Sequence, residues 1–529
     1  MAVSTGASSN PMLSIAGSSW RRDGLIVESA LLLFAFIAAA WFAEDPGRIR
    51  SVLRVAIVTG VAVSLYGIAQ YFGWDPLLPS KAYQFGEGIF TIVRPPGTFG
   101  HADYFANWLV IVVFFALALR RLEENGRWRT MADLCAVLAT FAIILSGTRS
   151  AMLGLLIGAL VFGGLARTGL HRRGILILVA SAACLGMLYI SPAGEKLRAR
   201  VHWSRDDVRG GARLLLWRDS LRMAMRRPLL GYGPETFTAQ FAPFESVELS
   251  QAYPDFYQES PHNMFLDVLT SRGLPGVGAL LALCGLGLWS ARRNAALAAA
   301  LAAAIVCQQF IVLTIPTALY FYLLVAMSVA GNIPSREIEP RRFPRVLVPV
   351  AASIALVFLV FAARLMIADR FMALAERRIE SGDVAGAAAA YRTVQRWDPC
   401  NGAGDLRYSR AMTRLASTTP VFATSVAAAA QAVESGVRAT QTAEDRQNAW
   451  YNLATIAALR NDAGGVESAL RHAIACAPHW FKPHWTLSQF LEMTGRHAEA
   501  RQEAAVAMEL DGGHDPEVTE TCRKILSRP

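Results

Sequence analysis

The sequence predicts an all-α protein in which a membrane bundle of about ten helices precedes a soluble helical-repeat domain. Three observations carry this prediction. Of the 529 residues, 53% are hydrophobic; apolar runs long enough to span a bilayer recur through 24–364; and an Ala-rich helical period begins at 365. Only 17% of the residues are charged, against roughly 25% in an ordinary soluble protein. This composition excludes a disordered chain and argues against a single soluble domain.

Ten segments are predicted to span the membrane, because a helix needs roughly 20 mostly apolar residues to do so. They are 24–43, 52–72, 104–120, 131–147, 150–166, 175–192, 274–291, 295–314, 316–331 and 345–363. The domain boundaries expected from them are an N-terminal segment at 1–23, a membrane domain at 24–364 and a repeat domain at 365–529. The N-terminal segment is rich in Ser and Gly. We expect it to be disordered, and it does not resemble a cleavable signal peptide.

The net charge of +10 is typical of a nucleic-acid binder, but its distribution points to membrane orientation instead. The repeat domain carries 18 basic and 19 acidic residues, so the basic excess lies in the apolar part. Five short loops hold 16 basic and 6 acidic residues; they are 44–54, 120–130, 167–174, 292–294 and 332–345. If these loops face the cytoplasm, the loops 73–103 and 193–262 and the repeat domain face the other side. No nucleic-acid partner is expected.

This orientation also places the N-terminus outside, although Arg21 and Arg22 immediately precede the first span. An odd number of additional upstream spans would remove the conflict. We therefore expect the chain to lack spans at its N-terminus.

The repeat domain shows the pattern of paired amphipathic helices. Residues 368–399 contain small residues, a Gly between two helices, a Tyr in the second helix and a terminal Pro, and Trp450 and Trp485 mark two later units 35 residues apart. These features resemble the tetratricopeptide repeat, whose period is 34 residues. Such repeats either bind a partner on a concave face or act as a spacer. The aromatic and His cluster at 479–485 is expected to pack between repeats, with contact to a glycan or peptide as the alternative.

The long loop 193–262 is basic in its first half and acidic in its second. Residues 193–227 hold ten basic and four acidic residues, whereas 228–262 hold five acidic residues and no basic one. At helical spacing, Arg209, Arg213 and Arg205 would share a face that suits a diphosphate or an anionic lipid headgroup. The alternative is a solvated helix lying on anionic lipid. The acidic half either pairs with the basic half or faces an acceptor sugar.

Three further residues are candidates for the site. Arg149, in ILSGTRSAMLGLL, lies close to hydrocarbon at the outer mouth of two spans, where an Arg is costly unless it has a function or reaches the surface. Arg94, in VRPPGTFGHADYFAN, ends the first outer loop. His262, in ESPHNMFLDVLTSRGLPGVG, can take a proton from a hydroxyl group at neutral pH, although a packing role is the alternative.

No metal or other cofactor is expected. The sequence has no Asp-x-Asp or His/Cys cluster and no Walker motif. Its seven cysteines lack paired spacing and are interpreted as small buried side chains.

Four stretches occur in this order along the chain: GTRSAMLG, RLLLW at 213–217, PLLGYGPETF and SPHNMFLDVLTSRGLPG. This ordered set resembles the O-antigen ligase/polymerase superfamily over roughly 50–330. The resemblance implies a GT-C-like, metal-independent glycosyltransferase of the bacterial inner membrane with a periplasmic site. Its donor would be a glycan on undecaprenyl diphosphate, and its acceptor a hydroxyl on lipid A–core, on a growing glycan or on a protein. By motif match, Arg149 and Arg213 would bind the diphosphate, with Arg94 and Arg209 assisting, and His262 would serve the acceptor.

The same resemblance implies about twelve spans, so three are expected to be missing at the N-terminus. Two other classes of function stay open. One is a membrane-tethered repeat scaffold that recruits a periplasmic protein partner. The other is a lipid or glycan transporter, which should show more polar residues in mid-span.

Overall fold

The computed structural model describes most of the chain, and the described part is almost entirely helical. It comprises residues 1–79, 82–85, 92–166, 186–187, 189–191, 194–206, 211–331, 347–398 and 402–528. Within these ranges, β structure is limited to one antiparallel pair, Gln84–Phe85 with Ile92–Val93, in which Gln84 is opposite Val93. The prediction of an all-α fold is confirmed.

Seven helices in the described ranges are long and apolar enough to cross a membrane. They are Leu25–Glu44, Gly47–Tyr71, Ala102–Leu122, Gly126–Ser146, Arg149–Ala166, Met264–Ala291 and Leu347–Glu380. Two shorter apolar helices, Ala295–Cys307 and Ile315–Ala330, match two more predicted spans. The chain is therefore a multi-pass membrane protein. Most of the predicted span 175–192 lies outside the described residues.

Two helices extend well past their predicted bounds. The helix Met264–Ala291 begins ten residues before the predicted start at 274 and continues through a kink at Gly273. The helix Leu347–Glu380 runs unbroken across the predicted domain boundary at 364. It does so because neither Gly nor Pro occurs between Pro349 and Gly382, so nothing in that stretch breaks the helix. One rigid helix thus leads from the membrane bundle into the first helix pair of the repeat domain.

The membrane bundle packs around the helix Ala102–Leu122, which is buried along most of its length. The Ala-rich helix Ala295–Cys307 lies against it and against Arg149–Ala166. A β-carbon at Gly154 would overlap the Cys307 sulfur, and one at Gly158 would overlap the Phe114 ring. Small residues therefore set the close approach of these helices, as is usual where lipid removes the hydrophobic drive for helix association.

The N-terminal segment 1–23 is ordered, contrary to the prediction of disorder. It forms two short helices, Ala2–Gly6 and Pro11–Ala16. The hydroxyl of Ser9 donates to the Tyr232 carbonyl at 3.1 Å, and that of Ser14 donates to the Pro234 carbonyl at 2.7 Å. The serines that made the segment resemble a disordered one thus supply its hydrogen bonds to the long loop.

The long loop is mostly helical in its described part. Its elements are the helices Glu195–Asp206, Arg213–Arg226, Phe237–Phe241 and Val247–Ala252 and the 3-10 turn Ala242–Phe244. The prediction that Arg205 and Arg213 share one helix face is wrong. Gly211 has a left-handed backbone (φ +71°), which ends any helix that would join the two.

The repeat domain is a stack of antiparallel helix pairs. After Leu347–Glu380, the helices are Val384–Trp397, Gly402–Thr418, Phe422–Thr442, Arg446–Leu459, Ala463–Cys476, Phe481–Met493, His497–Asp511 and Pro516–Leu526. Trp450 and Trp485 both pack against the core of the later pairs. The tetratricopeptide assignment itself stays a prediction.

The 479–485 cluster divides between two roles. Phe481 and His484 are buried within the repeats, whereas His479 and Trp480 contact the long loop.

Candidate functional site

His262 lies where the long loop re-enters the membrane bundle, just before the cap of the helix Met264–Ala291. Asn263 caps that helix, because its Oδ1 accepts two backbone N–H groups of the first turn at 3.0 and 3.1 Å. The first helical N–H also donates to the Gln308 carbonyl at 2.9 Å. His262 itself has φ +48°, a left-handed conformation that is uncommon for a residue other than Gly. Such conformations cluster at functional sites.

Arg213 is held close to His262 by Trp217. The Trp217 indole N–H donates to the carbonyl of Pro261 at 3.0 Å, which ties the helix Arg213–Arg226 to the residue before His262. Arg213 and Trp217 are four positions apart and share a helix face. Burial, and then the positive charge of Arg213, lower the pKa of His262 to about 4. The imidazole is therefore neutral at neutral pH.

Asp103 connects the first outer loop to the same region. Its carboxylate forms an ion pair with Arg94 and accepts a hydrogen bond from the Thr148 hydroxyl at 3.1 Å. It lies close enough to Arg213 and His262 to interact with the charge of each. Asp103 is thus the central anion of an otherwise basic cluster.

Arg149 begins the helix Arg149–Ala166, directly after Thr148, and is half-buried. The structure therefore gathers Arg94, Arg149, Arg213 and His262 at one end of the membrane bundle. Arg209, the fifth predicted residue, lies outside the described residues.

The segment 228–237 (PLLGYGPETF) packs against the kink in the helix Met264–Ala291. The Ser271 carbonyl would normally accept from the residue four positions later, but that residue is Pro275, which has no N–H. The backbone N–H of Gly233 donates to this carbonyl at 2.9 Å instead. Two further backbone bonds join the same elements: Tyr232 N–H to the Thr270 carbonyl at 2.9 Å, and Leu274 N–H to the Pro228 carbonyl at 2.8 Å. The two sequence motifs thus form one structural unit that supports His262.

The N-terminal segment contributes Arg21 to a buried charge cluster, in which it pairs with Glu235 and Asp267 of this unit. The Arg21 Nε donates to Glu235 at 2.6 Å, and an Nη pairs with Asp267 at 3.0 Å. Glu28 and Arg272 form a second ion pair of the cluster. Burial acts to raise the pKa of Glu235, but the charge of Arg21 outweighs it and holds that pKa below its usual range. The cluster joins the N-terminal segment, the loop and the kinked helix.

The acidic half of the long loop forms ion pairs with three different regions. Glu248 pairs with Arg218 of the basic half at 3.2 Å, as expected if the two halves of the loop pair. Glu235 pairs with Arg21, and Asp255 pairs with Lys482 of the repeat domain at 2.5 Å. These carboxylates therefore hold the loop in place.

Sequence reasoning missed Asp103 and Arg21. Asp103 lies within the VRPPGTFGHADYFAN stretch that identified Arg94, and a carboxylate in the first turn of a mostly apolar helix is itself a signal of function. Arg21 carried a signal as well, because a charge beside the first span needs a partner when buried. It was interpreted only as an orientation signal.

Residues 134–281 match the family model described as O-Antigen ligase. The matched segment includes Arg149, Arg209, Arg213 and His262, whereas Arg94 and the repeat domain lie outside it. A search of curated proteins found no match. The part of the chain that carries His262 and the loop arginines is therefore similar to the O-Antigen ligase family, which supports a ligase- or polymerase-type membrane enzyme.

Proposed function

We propose that the protein is an O-antigen ligase-type glycosyltransferase, which moves a glycan from undecaprenyl diphosphate to a hydroxyl of lipid A–core or of another envelope acceptor. The observation that carries the proposal is a neutral histidine, His262, with Arg213 beside it and with Arg94 and Arg149 at the same end of the membrane bundle. Arginines suit a diphosphate, and a neutral imidazole can accept a hydroxyl proton.

The donor diphosphate would lie against Arg213 and Arg149, with Arg94 beside them. Arg213 is half-buried and makes no ion pair among the described residues, so its guanidinium can bond phosphate oxygens through two parallel N–H groups. The Nε of Arg94 is buried without a hydrogen-bond partner in the described ranges, although an Nη pairs with Asp103. As the bond between sugar C1 and the diphosphate oxygen breaks, these cations stabilise the charge on the leaving group.

His262 would act on the acceptor. Its imidazole accepts the proton of the attacking hydroxyl while the oxygen forms a bond to the sugar C1. Donor binding favours this role, because the negative diphosphate offsets the charge of Arg213 that lowers the pKa of His262. The base thus becomes stronger when the donor is bound.

In this proposal the His262 end of the bundle and the repeat domain face the periplasm of a bacterial inner membrane, and the basic short loops face the cytoplasm. Membrane lipid surrounds the helix bundle, and the repeat domain is available to a periplasmic protein partner. The reaction needs neither metal nor cofactor, because the arginines carry the charge stabilisation. A polymerase or a protein O-oligosaccharyltransferase would use the same chemistry with another acceptor.

The test is a transfer assay with purified protein in nanodiscs. The donor is the undecaprenyl-diphosphate glycan, and the acceptors are lipid A–core, free glycan and envelope protein. The key variant is His262→Asn, because Asn tolerates the left-handed backbone and so removes the imidazole without adding strain. His472→Asn, on the surface of the repeat domain, is the matched control.

We expect His262→Asn to lower kcat by at least about 10²-fold and His472→Asn to leave it unchanged. Full transfer by His262→Asn would overturn the mechanism, and a non-enzymatic scaffold would be the better description. Turnover should persist in EDTA; its loss would show that the arginines do not suffice.

A further inference from the structure

A cleft of about 420 Å³ lies between the long loop and the repeat domain. The loop wall includes Phe256, Tyr257 and Gln258, and the repeat wall includes Tyr451 and Trp480. None of the arginines proposed for the donor lines it, and neither does His262. The cleft is therefore separate from the proposed transfer site.

The two walls are joined by direct contacts, so the cleft is a built feature. Asp255 pairs with Lys482 at 2.5 Å and accepts the Trp480 indole N–H at 3.2 Å. The His479 ring donates from Nδ1 to the Glu245 carbonyl at 2.5 Å. These bonds hold the long loop against the chain where the helix Ala463–Cys476 is followed by the helix Phe481–Met493.

Aromatic rings line both sides. Phe256 and Tyr257 are 54% and 41% exposed and stack with their centroids 6.1 Å apart. Tyr451 and Trp480 meet at 5.2 Å on the repeat side. Large rings left open in a polar cleft are well suited to the C–H faces of sugar rings, because aromatic faces bind apolar surfaces beside polar groups.

Two buried polar groups at the cleft have unused hydrogen-bonding capacity. Gln258 is only 6% exposed, and its Nε2 has no hydrogen-bond partner in the described ranges of the chain. The Oε1 atom of Glu245 is also buried and has no hydrogen-bond partner among the described residues. Burial, and then the charge of Asp219, raise the pKa of Glu245 to about 8, so this group is both a donor and an acceptor at neutral pH. Unpaired buried groups of this kind are costly unless a ligand satisfies them.

We propose that this cleft is an oligosaccharide-binding subsite that holds the glycan being transferred or extended at His262. Aromatic platforms combined with amide and carboxyl groups match a ligand whose rings carry many hydroxyls. A peptide fits less well, because the walls are helices and loops with no strand edge that could pair with its backbone.

The subsite is connected to the transfer site by the chain itself. Gln258 precedes His262 by four residues, which limits their separation to about 14 Å. The Thr238 hydroxyl donates to the Glu259 carbonyl at 3.4 Å and steadies this connection. A short oligosaccharide can span that distance. The part of the inference that concerns transfer rests on the proposed function, whereas saccharide binding does not.

The test is calorimetric titration of the full-length protein in nanodiscs. The probe is the oligosaccharide released by mild acid from the undecaprenyl-diphosphate donor. The variants are the double substitution Phe256→Ala/Tyr257→Ala and the single Gln258→Leu, which keeps the side-chain size but removes the amide. Phe422→Ala, an aromatic that is 82% exposed elsewhere on the repeat domain, is the matched control.

We expect the double variant to bind the probe about tenfold more weakly and Gln258→Leu to bind it more weakly as well, with unchanged melting temperatures. Phe422→Ala and His262→Asn should bind it like the wild type, so failure of transfer and failure of this subsite are separable. Unchanged affinity in the folded variants would overturn the proposal. So would a wild-type protein that binds no oligosaccharide, or that binds envelope-protein peptides at the cleft instead.

Discussion

Arginines occupy two adjoining regions of this protein in opposite ways. In the buried charge cluster, Arg21 is held between Glu235 and Asp267 with its side chain 5% exposed, and Arg272 pairs with Glu28. Around His262, the half-buried Arg213 makes no ion pair among the described residues. Paired and buried cations hold elements together, whereas a cation that forms no direct ion pair keeps its N–H groups available for a ligand.

Arg94 is intermediate between these two cases. It belongs to the His262 cluster, yet it pairs with Asp103. We therefore infer that it contributes by positioning Asp103 as much as by touching the donor. The comparison separates the stabilising arginines from those proposed to bind substrate, and it can be tested residue by residue.

The largest effect is expected for Arg21→Ala. Removing this cation leaves Glu235 and Asp267 buried without their partner, which should lower the free energy of unfolding by about 3–5 kcal/mol. Equilibrium unfolding in detergent micelles measures the change. As the control, Lys524→Ala removes an exposed ion pair to Glu520 and should cost less than about 1 kcal/mol. Equal effects of the two substitutions would remove the distinction drawn above.

The next effect is expected for Arg213→Ala, and it should appear in activity instead of stability. Loss of one cation from the leaving group should lower kcat/KM by about 10²–10³-fold while the melting temperature stays constant. Arg226→Ala, an exposed residue on the same helix, is the control and should be silent. A drop in stability with unchanged activity would make Arg213 a structural residue like Arg21.

The smallest effect is a shift in pH dependence. Because the pKa of free His262 is lowered to about 4, the imidazole stays neutral until the medium is strongly acidic, and kcat/KM should fall only below about pH 5. Arg213→Gln removes a positive charge and so raises this pKa, which moves the fall of kcat/KM to higher pH. In the wild type, kcat should fall at a higher pH than kcat/KM, because bound diphosphate also raises the pKa. A wild-type kcat/KM that fell near pH 6.5 would contradict the geometry around Arg213.

Much of the architecture could be predicted because membrane helices are specified by local composition. Nine helices in the described part correspond to predicted spans, since each run of apolar residues is itself the signal. The helix Leu347–Glu380 was predicted only as far as residue 363, because the prediction followed the apolar residues alone. The absence of Gly and Pro between Pro349 and Gly382 would have indicated the longer helix. The order of 1–23 could not be predicted, because its serines are ordered by carbonyl groups more than 200 positions away.

The sequence indicated candidate residues for the site but not their partners. Arg94, Arg149 and His262 stood out as polar residues near the ends of spans and Arg213 as part of the basic half of the long loop, and the structure connects Arg94, Arg213 and His262 through Asp103. Asp103 did not stand out, because its role follows from where Arg94 and Thr148 lie in space.

The sequence by itself determined the helical membrane fold and the types of side chain at the candidate site, because these depend on neighbours a few positions apart. Only the tertiary structure decided which charges neutralise each other. It decided that Gly233 supplies the N–H that Pro275 lacks, and that Arg21 is bound by two carboxylates while Arg213 forms no ion pair among the described residues. Such pairings join residues far apart in the chain, so local composition does not specify them.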